Sequence, residues 1–104
     1  MQVIDIINHG KNNQLILTEK EIPIPHEDEI LINIQASGVN RPDILQTFGL
    51  HPPPAGSPSH PGLEVSGIVE KIGSNVKNFK PGDHVMALLG GGGYAEFCIA
   101  NQYL

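Results

Sequence analysis

Tryptophan is absent from the 104 residues, and cysteine and arginine occur once each. A lone cysteine, Cys98, excludes an intrachain disulfide and any cysteine cluster that would hold zinc, so a reducing, cytoplasmic setting is the expectation. Basic side chains are sparse: Lys11, Lys20, Arg41, Lys71, Lys77 and Lys80 face eleven acidic residues, for a net charge of −5. They form no stripe that follows a phosphate backbone, and nucleic acid is not an expected partner. Long apolar runs are missing as well. None approaches the roughly twenty residues that cross a bilayer, and the first residues lack the basic start and small-residue cleavage site of a signal peptide, so no membrane association is expected.

Glycine, with 12 residues, and proline, with 9, are in excess. That balance suits short strands joined by tight turns, and a mainly β domain spanning 1–104 is the first expectation. With 39% hydrophobic residues the chain is long enough to bury roughly two-thirds of its unfolded surface without staples.

Val3–Asn8 and Gln14–Ile22 are β-prone runs around the turn formers His9 to Asn13, which predicts an opening hairpin of uncertain register. Pro23 and Pro25 keep the next segment out of a central strand. Ile30, Ile32, Ile34 and Ala36 then alternate with Leu31, Asn33 and Gln35, the period of a half-buried strand, and the pattern stops at Gly38. Pro42 suits a first helical turn, Asn40 and Asp43 can accept from its free N–H groups, and Ile44, Leu45 and Phe48 share an apolar face before Gly49. This strand-to-helix turn is the one abrupt change of period. Asn40 there is either a helix cap or a donor facing an oxygen-bearing ligand, and Arg41 is either a surface charge or a fork for a phosphate or carbonyl.

His51 to Gly62 is a loop with five prolines, long enough to suggest one wall of a site. Leu63–Gly73 resumes as a strand in which Gly67 predicts a bulge or a close backbone approach. Glu64, just inside that strand, must find a donor or face a cleft, with a solvated carboxylate as the alternative. Phe79 to Asp83 reads as a turn. Val85–Leu89 and Tyr94–Ala100 read as two further strands, with Gly90 to Gly93 as the hairpin turn between them.

The run Gly90-x-Gly92-x-x-Ala95 matches a dinucleotide fingerprint only in form, because a strand, not a helix, is predicted after it. His9, His26, His51, His60 and His84 show no helical i, i+4 pairing, so no metal site is expected, and these histidines are expected to be solvent-exposed.

Taken in order, Ala36-Ser-Gly-Val-Asn-Arg-Pro-Asp43, Gly62-Leu-Glu-Val-Ser-Gly67-Ile-Val, Phe79-Lys-Pro-Gly-Asp83-His-Val and Gly92-Gly-Tyr-Ala-Glu96 resemble the N-terminal catalytic domain of zinc-independent quinone oxidoreductases in the medium-chain dehydrogenase/reductase superfamily. The Asn-Arg-Pro-Asp and His-Pro-Pro-Pro segments are similar to the p53-inducible quinone reductase type more than to zeta-crystallin. The resemblance covers nearly the whole chain. It implies a GroES-like fold, a partly open β-barrel with short helices. It also implies hydride transfer from NADPH to a quinone or enone, with Asn40 and Arg41 as catalytic and cofactor-binding residues and His51 and Glu64 in the substrate pocket.

In the zinc alcohol dehydrogenases a Cys stands at the position of Asn40 and a ligand His at that of Leu63, so the resemblance implies no zinc. Relatives often place a Tyr near His51, which leaves the proton donor open. The family binds its cofactor mainly through a Rossmann domain that is absent from this chain, so the resemblance implies a truncated fragment of a two-domain reductase, inactive alone, from a homodimeric parent. A stand-alone GroES-like binding module, co-chaperonin-like or partner-binding, is the alternative, and a zinc-dependent alcohol dehydrogenase would require bound metal despite Leu63 and Asn40.

Overall fold

Strand periodicity and turn chemistry together place the elements. The computed structural model describes residues 1–50 and 54–103, and His51 lies outside them. β1 (Gln2–Ile7) and β2 (Gln14–Glu19) form the opening antiparallel hairpin, with Gln2 opposite Glu19 and Ile7 opposite Gln14. The second strand stops at Glu19, short of the Ile22 expected, because Pro23 and Pro25 cannot donate to a ladder. β3 (Glu29–Ser37), α1 (Arg41–Thr47), β4 (Glu64–Ile72), β5 (His84–Leu88) and β6 (Phe97–Asn101) follow.

Four of these strands form one antiparallel sheet in the order β5-β4-β3-β6, and β1 and β2 form the other, joined to it by a bridge between Val3 and Ala95. Neither sheet closes, which gives the mainly β, partly open GroES-like barrel. Among the described residues no helix is long and apolar enough to cross a membrane.

The expected hairpin turn at Gly90 to Gly93 is not formed. β5 and β6 lie at opposite edges of the four-stranded sheet, so the glycine run is a crossover between them. Its backbone is used elsewhere: Gly92 N–H donates to His60 O (2.9 Å), Gly93 N–H to Gly62 O (3.0 Å) and Tyr94 N–H to Pro61 O (2.9 Å). The two segments run side by side so closely that a Cβ at Gly62 would stand 2.5 Å from Tyr94 N and one at Gly93 2.9 Å from Gly62 O, which is why these two positions are glycine.

The core is built on β3 and β4. Ile32, fully buried, lies opposite Val69 on one side and Cys98 on the other, and packs in a cluster with Ile30, Val65, Val76, Ala87 and Ala100. Burial pushes the Cys98 thiol up to about 12, so it stays a small apolar filler at neutral pH. The expected irregularity at Gly67 is present: the β3 to β4 register slips between Ile34 and Ala36 opposite it, and a Cβ at Gly67 would run into the Asn33 carbonyl.

Candidate functional site

Three strand ends meet at one end of the large sheet. β3 delivers Ser37, β4 begins at Glu64 and β5 ends at Leu88, with Ser37 opposite Val65 and Glu64 opposite Leu88. Gly38 N–H donates to Glu64 O (2.9 Å) and Leu89 N–H to Leu63 O (2.7 Å), which ties the rim together just before the chain turns into α1.

Asn40 is the N-cap of α1 and forms a reciprocal capping box with Asp43. Its amide nitrogen also reaches across the rim, with Nδ2 at 3.4 Å from Glu64 Oε1. The two roles open to Asn40 from its sequence context are compatible, with the side chain at the helix start and its amide nitrogen toward the rim. The cap is closed from the other side: Asp43 Oδ2 accepts the Asn40 backbone N–H at 3.0 Å. The same oxygen accepts the Tyr94 hydroxyl at 2.7 Å, across 51 residues of chain.

Asp43 is 3% exposed, and its Oδ1 has no partner among the described residues. Burial, then the Asp43 hydrogen bond and charge, push the Tyr94 phenol well above its ordinary value, so it remains a donor at any physiological pH.

Glu64 and Arg41 are both exposed. Glu64 is thus a solvated carboxylate that also holds the Asn40 amide. The ion pairs among the described residues join the N-terminus to Glu19 and Lys20 to Asp5, and neither involves Arg41. The rim around Asn40 is apolar and open: Val39 is 74% exposed, Met86 81% and Leu88 68%. A cleft of about 170 Å³ lined by Glu64, Met86, Ala87 and Leu88 runs into it. Gly38 leaves room for the Glu64 carboxylate, which a side chain at that position would occupy.

A larger cleft of about 360 Å³ lies apart from this rim, between Lys20, His60, Phe97 and the glycine crossover, and includes neither Asn40, Arg41 nor Glu64. His60 there corrects the expectation of exposed histidines, being 4% exposed beneath Gly92. Its Nδ1 is 3.3 Å from Lys20 Nζ, which also meets Ser59 Oγ (3.0 Å) and Asp5 Oδ2 (3.2 Å). An ammonium only donates, so Nδ1 is the acceptor and the ring proton sits on Nε2. Nothing in the sequence marks this cluster, because its members are 15 and 40 residues apart from Lys20 and meet only when the loop folds over the hairpin.

The cluster makes stability depend on pH. Burial, then the Lys20 charge, hold His60 below its ordinary 6.5, so the folded chain keeps it neutral while the unfolded chain takes up a proton. Stability is therefore full above pH 6.5 and falls as pH drops below it, by at most about 1.4 kcal/mol per pH unit for one proton. Asp5 adds a loss at lower pH. Burial raises its carboxyl, but the Ile6 N–H and Lys20 outweigh that and hold it below 3.8, so its contribution disappears as pH falls through that range. Urea midpoints at pH 7.5 and pH 5.5 should differ in the wild-type chain, and His60→Gln should remove most of the difference.

No group of three or more His, Cys, Asp or Glu side chains among the described residues is placed to hold a metal. At the rim itself Leu63 offers no ligand atom and Asn40 only an amide. For a dinucleotide, the exposed donors of Asn40 and Arg41 fit the polar end of a nicotinamide riboside. The glycine crossover does not fit the pyrophosphate, since its N–H groups at Gly92 and Gly93 are taken by His60 and Gly62 and a strand follows it.

Residues 26–104 match the alcohol dehydrogenase GroES-like domain family. A quinone oxidoreductase of Sus scrofa is 44% identical over 102 residues, a match covering 96% of this chain and 31% of that protein. Among solved structures, Escherichia coli quinone oxidoreductase complexed with NADPH superimposes with a TM-score of 0.77 at 35% identity, covering 95% of this chain and 30% of that one. An alcohol dehydrogenase superfamily protein from Novosphingobium aromaticivorans superimposes with a TM-score of 0.81 at 27% identity, over 97% of this chain and 32% of that one. The chain spans about a third or less of the length of each of these relatives. It belongs to the alcohol dehydrogenase GroES-like domain family, and is an N-terminal domain of the kind found in medium-chain quinone oxidoreductases.

Proposed function

We propose that this chain forms the acceptor side of an NADPH-dependent, zinc-independent quinone or enone reductase, and that a nucleotide-binding domain must complete it. The observation that carries this reading is the Asn40 amide nitrogen, placed at the start of α1 and held over an apolar rim by Glu64. The names of the relatives support it, one being a quinone oxidoreductase and another a quinone oxidoreductase solved with NADPH.

When bound, the nicotinamide supplies the hydride, and what remains for this chain is to orient the acceptor and meet the charge that develops on its oxygen. Asn40 Nδ2 carries two N–H groups. One turns toward Glu64 Oε1, and the other is free for a ribose hydroxyl or the acceptor oxygen. Arg41, exposed at the next residue, adds positive charge to the same rim, where negative charge appears during reduction. Val39, Met86 and Leu88 give a flat, conjugated acceptor an apolar surface to lie on. Asn40 and Leu63 supply neither thiolate nor imidazole, so the acceptor must be one that takes hydride without a Lewis acid, as quinones and activated enones do.

NADPH oxidation with a panel of quinones and enones tests the reading, using the 104-residue chain beside a longer form that carries a nucleotide-binding domain. Turnover is expected only in the longer form, and Asn40→Ala should lower its kcat/KM about a hundredfold. A longer form inert with every acceptor, or one indifferent to Asn40→Ala, overturns the proposal; a large ring in solution would then point to a co-chaperonin-like module.

A further inference from the structure

The hydrogen bond from Asn40 Nδ2 to Glu64 Oε1 is long, at 3.4 Å, and both residues are exposed. A contact of that length in water is too weak to fix an exposed amide. The place of Asn40 over the rim must therefore come from the main chain on either side of it.

That main chain is gripped twice by the glycine crossover. Three residues before Asn40, Ser37 Oγ donates to Gly93 O (2.6 Å). Three residues after it, Asp43 Oδ2 accepts the hydroxyl of Tyr94 (2.7 Å), the next residue of the crossover. The same Oδ2 accepts the Asn40 N–H (3.0 Å), so the capping box of α1 is tied to the Tyr94 phenol. Both hydroxyl contacts are short, and the second ends on a carboxylate, which makes them stronger than the contact between Asn40 and Glu64.

Glu64 is placed by the same piece of chain. Gly93 N–H donates to Gly62 O (3.0 Å) and Tyr94 N–H to Pro61 O (2.9 Å), just ahead of Glu64. Ile4 N–H donates to Tyr94 O (2.8 Å), which pins the crossover to β1 as well. The segments have no slack between them, since a Cβ at Gly93 would stand 2.9 Å from Gly62 O.

We infer that Ser37 and Tyr94 are positioning residues for Asn40: the crossover clamps the strand-to-helix turn at both ends and sets the Asn40 amide at a fixed place relative to Glu64 and the rim. Without the Tyr94 hydroxyl the buried Asp43 carboxylate keeps fewer donors, and the box at the start of α1 loosens. Without the Ser37 hydroxyl the end of β3 is released from Gly93. Either loss lets the amide shift over the rim, and a displacement of about 1 Å at an orienting group is enough to slow a reaction severely.

The bearing on turnover rests on the reductase reading, so the test has two parts. In the longer form that carries a nucleotide-binding domain, Tyr94→Phe and Ser37→Ala should each lower kcat/KM for a quinone about tenfold, and neither should lower it further once Asn40 is replaced by alanine. A loss that persists in the Asn40→Ala background acts through the fold at large and overturns the inference, as does a folded single variant with unchanged kcat/KM. The second part needs no substrate. In the isotope-labelled 104-residue chain, nuclear Overhauser contacts should run from the Asn40 side-chain amide to the Glu64 side chain. They should be lost in both variants while Ile32 and Val69 in the central ladder keep their exchange protection. Contacts that survive in either folded variant overturn the inference. Ser37→Ala, which alters an exposed side chain, decides if Tyr94→Phe does not fold. An inert longer form sinks the reductase reading and leaves the decision on the clamp to the Asn40 contacts.

Discussion

Gly62→Ala is expected to cost about 3 to 5 kcal/mol, whereas Gly82→Ala costs only about 1 kcal/mol, although both glycines have positive φ. At Gly82 (φ 96°) a Cβ would meet nothing within 4 Å, so only the backbone strain of a left-handed conformation is added. At Gly62 (φ 112°) the same strain is joined by collision, since a Cβ would stand 2.5 Å from Tyr94 N and 2.6 Å from Gly93 Cα.

Neither neighbour is a flexible side-chain end that can swing away. To make room, the 60–62 and 92–94 segments must part, which breaks the hydrogen bonds from Gly92, Gly93 and Tyr94 and lifts the Tyr94 phenol from Asp43. A domain of this size is stable by roughly 5 to 15 kcal/mol, so Gly62→Ala brings it close to unfolding. Urea denaturation of the two variants beside the wild type checks this, and equal losses for Gly62→Ala and Gly82→Ala would show that the two segments do not press together as described.

Ile32→Ala is expected to destabilise by about 3 to 4 kcal/mol. Ile32 is 0% exposed on the central strand β3, with Val69 and Cys98 opposite it on the two neighbouring strands. Those neighbours are set by ladder register and cannot collapse into the space, so the cavity term adds to the lost transfer energy. The denaturant midpoint should fall with little change in slope. A loss below about 1 kcal/mol would mean that the strands re-pack around the gap, which the close-packed ladder does not allow.

Period and turn chemistry made most of the fold legible. The alternation over Ile30 to Ala36 marks β3, the Asn-Arg-Pro-Asp run marks the start of α1, and Gly67 marks a close backbone approach, because each signal is carried by residues next to one another in the chain. Gly90 to Gly93 misled for the same reason. Four glycines between two strands look locally like a hairpin turn, but what they accommodate is Gly62 and its neighbours, some thirty residues earlier.

The site divides along the same line. Asn40, Arg41 and Glu64 could be picked out from their places at the ends of predicted strands, and the motifs they sit in carried the family. That the Asn40 amide reaches Glu64, that Tyr94 reaches Asp43, and that His60 is buried against Lys20 were not legible. The sequence by itself determined the elements, the core alternation and the family, since these depend on residue type and spacing along the chain. Only the tertiary structure decided which strand edges pair, which partner the Asn40 amide meets and which polar groups lose water, because those outcomes depend on contacts between residues dozens of positions apart, and no local pattern encodes such a contact.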